Sequence, residues 1–118
     1  LAIGNPADGY YSLVQLRDTN GACGCVTDEE IIQGMKLLAE TEGIFAETAG
    51  GVTIASLKQL VEQGKIHPEE TTVAFITGAG FKTVEPLAEA LNPALEIDAT
   101  MESFEEAYSA LKPREAIA

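Results

Sequence analysis

The stretch "TTVAFITGAGFKT", residues 71–83, constrains the fold more than any other part of this chain. Residues 71–77 are β-branched, aromatic and small, and carry no charge, which is the pattern of a buried strand. The run ends on the hydroxyl of Thr77, and two glycines follow within three residues. Such an ending suits a tight turn, or a strand end where backbone must come close to a ligand. A strand apolar on both faces needs covering layers, and the flanking sequence supplies helices to cover it.

Asn5 and Pro6 suit an N-cap and first turn, and Tyr10, Leu13, Val14 and Leu16 follow at helical spacing until Asn20-Gly21. "ACGCV", residues 22–26, reads as a short strand. Thr27 with Glu30 is a capping-box pattern opening a helix whose apolar stripe is Ile31, Met35, Leu38 and Ala39, ended by Gly43. "IFAE" is a short apolar step. Thr48 is placed to cap a further helix with Ile54, Leu57, Leu60 and Val61 facing inward, ended by Gly64. A helix is predicted over residues 84–91, a turn at Asn92-Pro93, a last strand in "ALEID" and a last helix in "MESFEEAYSAL"; the tail after Lys112 is expected to fray. Strands alternating with helices predict an α/β fold, a partial parallel sheet flanked by helices. The expected division is a single domain, with a core over residues 1–91 and an extension over 92–118.

Charge and composition exclude several functions. Seven Lys and Arg against nineteen Asp and Glu leave a net charge of −12, with no basic cluster to hold nucleic acid. The apolar runs fall far below the ~20 residues of a membrane span. Cys23 and Cys25 are too close together to staple a fold, which suits a reducing, cytoplasmic setting. The start at Leu1, straight into "LAIGNP" and without a signal-peptide pattern, leads us to expect a piece of a longer protein.

Each candidate site carries an ordinary structural reading beside the functional one. Gly78 and Gly80 either form a plain turn or let backbone approach a ligand at the end of the strand. The full phosphate-loop pattern is missing. Glu47, followed by Ala49, Gly50 and Gly51, is either a helix start that allows close packing or one that leaves room for a ligand. Cys23 and Cys25 read as two buried or half-buried thiols, since His67 is the sole histidine and a metal would need more ligands. His67 itself reads as a solvated loop residue, and no Ser/His/Asp arrangement is present.

Four blocks, "IGNPADG", "VTDEEI", "LLAETEGIFAETAGGVT" and "ITGAGFKT", stand in an order and at separations that resemble the C-terminal part of the threonine synthases, within the fold-type-II pyridoxal-phosphate enzymes. The similarity covers about residues 1–84. It implies a parent that converts O-phosphohomoserine and water to threonine and phosphate. In that chemistry the cofactor, held as a Schiff base on a lysine, serves as the electron sink. That lysine and the cofactor's phosphate loop lie upstream in the family, and Lys58 and Lys82 do not match the lysine's motif. The resemblance therefore implies an inactive fragment with no catalytic residue of its own.

By the same resemblance the chain would supply one wall of the cofactor site. Thr77 would hydrogen-bond the pyridine nitrogen, and Gly78 would keep backbone clear of the ring. Glu47 would match the acidic residue of an "EPAS"-like turn near the ring, and Gly4 would lie in the segment packed beside it. Departures are Thr48 in place of the usual proline, Gly50 in place of a small polar residue, and "TGAGFK" in place of "TGHGLK". The implied partners are the rest of the parent chain, its substrate and a possible second copy. Two other readings stand beside this one: a non-catalytic α/β ligand-binding or regulatory module, and a fragment of a related threonine/serine dehydratase.

Overall fold

In a computed structural model the protein is described over residues 3–88 and 97–110. Two fifteen-residue helices, α2 (Asp28–Glu42) and α3 (Thr48–Glu62), form an antiparallel-type hairpin joined by a short apolar step. Before them comes α1 (Gly9–Asp18). After them come a single 3₁₀ turn (Gly80–Lys82), the short α4 (Glu85–Ala88) and α5 (Met101–Ala110).

Helix α2 begins as the capping box predicts. The Glu30 N–H donates to Thr27 Oγ1 at 3.3 Å, and the Thr27 N–H donates to Glu30 Oε2 at 2.7 Å. Asp28, Glu29 and Glu30 place negative charge on the positive end of its dipole. The helix stops at Gly43, whose φ of 68° is left-handed backbone that glycine adopts without strain. Helix α1 ends at Asp18, and Asn20 just beyond it is left-handed at φ 51°. It begins later than the sequence suggests, however, with Asp8 rather than Asn5 at the N-cap.

The two long helices meet through glycine. A Cβ on Gly34 would stand 2.5 Å from the Gly51 carbonyl oxygen, and one on Gly51 would stand 2.6 Å from the Ile31 carbonyl oxygen. Backbone thus lies on backbone, and Met35, Leu38 and Ala55 fill the space around the contact. The buried apolar set is completed by Ala46 and Leu87. The inward face of α3 is therefore Gly50, Gly51 and Ala55, rather than the expected Ile54, Leu57, Leu60 and Val61; Val61 is 51% exposed. Ala39 of α2 is exposed as well. The reason is geometric: the small side chains permit the closest approach, so they face the partner helix, while Ile54, Leu57 and Leu60 are half-buried.

The expected parallel sheet does not form among the described residues. Residues 22–26 and 71–77 carry no strand ladder, and one isolated antiparallel bridge, Ala46 to Ala79, is the β pairing present there. A strand exists only through hydrogen bonds to a neighbour, and neither segment has one among the described residues. Val73 and Phe75 are 71% and 77% exposed, and Ile76 on the opposite side is half-buried near Gly50. Cys23 and Cys25 are exposed, not buried or half-buried as expected, because none of the described residues covers their segment on that side. The predicted turn at 92–93 and tail after 112 lie outside the described residues, as do most of the predicted strand at 94–98 and the end of the helix over 84–91.

The radius of gyration is 19.2 Å, against roughly 13–14 Å for a compact domain of this length. The molecule is spread out, with extents of 64 × 36 × 19 Å and large apolar side chains facing outward. No helix among the described residues is long and apolar enough to cross a membrane.

Replacing Gly51 with valine should loosen the helix pair and cost about 1–3 kcal/mol by overpacking, read as a lower thermal midpoint. A second prediction concerns acid. The Thr27 N–H, then its hydroxyl, hold the Glu30 carboxyl below the usual glutamate range. A carboxyl lowered in the folded state stabilises above its unfolded value and stops doing so as pH falls through the lower folded one. The stability difference between wild type and Glu30→Gln should therefore be full above about pH 4.3 and shrink on further acidification.

Candidate functional site

The clearest constellation joins the start of α3 to the end of the 71–77 segment. The Glu47 N–H donates to the Gly78 carbonyl at 3.0 Å, and the Gly80 N–H donates to the Phe45 carbonyl at 2.9 Å. These two bonds flank the Ala46–Ala79 bridge and lock "FAET" to "TGAGFKT". The Thr83 hydroxyl accepts the Thr48 N–H at 3.2 Å, taking one of the unpaired donors of the first turn of α3. Phe45 and Phe81 meet edge to face with centroids 5.3 Å apart. Ala46 beneath them is fully buried.

Glu47 occupies the N-cap position of α3, yet its carboxylate caps no backbone N–H. It lies instead against Gly78: a Cβ there would collide with the Glu47 carboxyl group. The side chain is 18% exposed, and Lys82 Nζ stands 3.5 Å from Oε2. The space that glycine leaves at position 78 is thus filled by the Glu47 carboxylate. Gly80 is a second close approach, with a Cβ there 2.5 Å from the Phe45 ring.

Of the four expected site residues, then, Glu47 and Gly78 are in contact and Thr77 is next to Gly78, exposed at the end of its segment. Gly4 is not brought to them; it is exposed, and a Cβ there would meet nothing within 4 Å. The sequence reading missed the roles of Lys82, Thr83 and the Phe45–Phe81 pair. The signal available was the return of the chain: an extended segment that ends in a glycine turn must fold back, and "FKT" is what it folds back with. His67 is an exposed loop residue that accepts the Glu69 N–H, as expected. No group of three or more metal-ligating side chains occurs among the described residues. A cavity of about 710 Å³ is an open groove between α2 and α3 on the face with Lys36, Leu37, Ile54 and Lys58; it holds none of the four residues.

Chemically, the cluster offers a neutral hydroxyl at an exposed segment end and, one residue on, a shielded carboxylate paired with an ammonium. The exposed Thr77 hydroxyl is open to hydrogen-bond a ligand atom such as a ring nitrogen.

A family described as "Pyridoxal-phosphate dependent enzyme" matches residues 1–78. The chain is 39% identical over 101 residues to a threonine synthase of Methanocaldococcus jannaschii, covering 86% of this chain and 25% of that protein. It is 43% identical over 82 residues to a threonine synthase of a Bacillus species, covering 70% and 23%. A cysteate synthase of Methanosarcina barkeri is 33% identical over 92 residues, covering 70% and 22%. The chain spans about a quarter of the length of these relatives.

Gly78→Ala should destabilise the loop clamp by driving Glu47 out of place. In a double-mutant cycle by thermal unfolding, Glu47→Ala should relieve most of that loss. Strictly additive effects would contradict the contact.

Proposed function

The chain belongs to the pyridoxal-phosphate-dependent enzyme family, and on that premise we propose that it is the C-terminal part of a threonine synthase. The parent would convert O-phosphohomoserine and water to threonine and phosphate. The observation that carries this reading is the match to threonine synthases along most of the chain. The contact of Glu47 with Gly78, the residue after Thr77, supports it.

The cofactor, when bound, supplies an electron sink for carbanion chemistry. The residues of this chain bind and orient it. The Thr77 hydroxyl meets the ring nitrogen as a neutral hydrogen-bonding partner. It does not favour a proton there as a carboxylate would, so the sink is moderated. Glu47 fills the gap at Gly78. Gly4 would join this wall only through contacts with chain beyond these residues. Residues 22–26 and 71–77 then act as strands of a parallel sheet that the rest of the parent completes, which also covers Val73 and Phe75. A cytoplasmic location, and a homodimer, go with this reading.

The cysteate synthase relative favours a second reading, in which the same cofactor wall serves the making of cysteate. One assay separates the two. The full-length gene product, given O-phosphohomoserine, should release threonine and phosphate in equal amounts; if it releases neither, the threonine synthase reading fails.

For the full-length enzyme, Thr77→Val should lower turnover while cofactor stays bound, because one hydrogen bond worth about 1–3 kcal/mol is lost. Unchanged kinetics would sink the role of Thr77. The 118-residue chain alone should yield no stoichiometric, borohydride-trappable adduct on a lysine when mixed with pyridoxal phosphate.

A further inference from the structure

We infer that Lys82 is a positioning residue that holds the Glu47 carboxylate in place against Gly78, and so sets the charge near a bound ring. The inference rests on the reading of Thr77 and Glu47 as ring-side residues.

Three observations lead to it. The Glu47 carboxylate caps no N–H of α3, and the first N–H of that helix goes to the Thr83 hydroxyl. At 18% exposure it is largely withdrawn from water, and a carboxylate so placed needs a compensating partner. Lys82 Nζ at 3.5 Å is that partner.

The lysine does not arrive there by chance of a mobile side chain alone. The 3₁₀ turn is closed by the Lys82 N–H donating to the Ala79 carbonyl at 3.2 Å and the Thr83 N–H donating to Gly80 at 3.0 Å. Phe81, seated on Phe45, anchors the turn from the other side. Backbone geometry therefore directs Lys82 back over the start of α3. In a chain with nineteen acidic residues and seven basic ones, cations to pair with are scarce, which sets this pair apart from general surface charge.

Lys82 acts only through Glu47 in this scheme, and that gives the test. In the full-length holoenzyme, pyridoxal phosphate affinity by equilibrium dialysis and the visible absorbance band are measured for Lys82→Met, Lys82→Arg, Glu47→Gln and the Glu47→Gln/Lys82→Met pair. Lys82→Met should weaken cofactor retention about fivefold and shift the band, and Lys82→Arg should restore both. With Glu47→Gln already present, Lys82→Met should add nothing. Additive effects, or a Lys82→Met protein that matches wild type, overturn the inference. Lys82 is 64% exposed, so its replacement leaves the packed residues in place. Failure to make threonine would remove the proposed substrate and leave this cycle readable. If Glu47→Gln and Thr77→Val both leave affinity and band unchanged, the ring-side placement falls and Lys82 falls with it.

Discussion

The backbone contact between Gly34 and Gly51 is the joint on which the described structure depends. It brings α2 and α3 close enough for carbonyl oxygens to oppose α-carbons. At that separation Met35 and Leu38 reach across and are buried. The contact also fixes where α3 begins. With α3 held against α2, Gly50 sits over Ala46 and near Ile76, so the "FAET" step and the 71–77 segment must share one small space. A larger residue at either glycine would part the helices and move every later contact.

The loop clamp is a second consequence of small residues. Gly50, Gly78 and Gly80 each leave a gap that a neighbour fills: Ala46, the Glu47 carboxylate and the Phe45 ring. Two backbone hydrogen bonds and one hydroxyl contact then tie the pieces together. A Glu side chain that could have capped a helix is turned toward the loop, and a lysine from the loop answers it. The arrangement gathers polar groups at the end of the 71–77 segment.

Much of this was legible locally. The capping box at Thr27 and the glycine stops at 43 and 64 lie where the sequence puts them, because caps are made from residues within one turn of each other. The pairing of Glu47 with the Gly78 region was legible only as two separate suspicions, both drawn from glycine. Periodicity misled on α3: its apolar residues predicted Ile54, Leu57, Leu60 and Val61 inside, whereas glycine and alanine form the packed face. A hydrophobic count ranks large side chains first, and it has no means of seeing that the closest helix contacts select the smallest ones.

What the sequence by itself determined are the long helices, the start of α2, the glycine stops, and the chemical types gathered at the 76–83 loop, since these follow from neighbours along the chain and from four blocks of residues at fixed separations. Its resemblance to pyridoxal-phosphate enzymes also followed from those blocks, and the family match agrees with it. Tertiary structure decided which residues touch: Gly34 on Gly51, Glu47 on Gly78, and Lys82 on Glu47. It also decided that residues 22–26 and 71–77 stand without ladders among the described residues. The reason is the same in each case. A helix closes its own hydrogen bonds within its own sequence, whereas a strand, a close helix contact and an ion pair between distant residues each require a second surface brought to the right place.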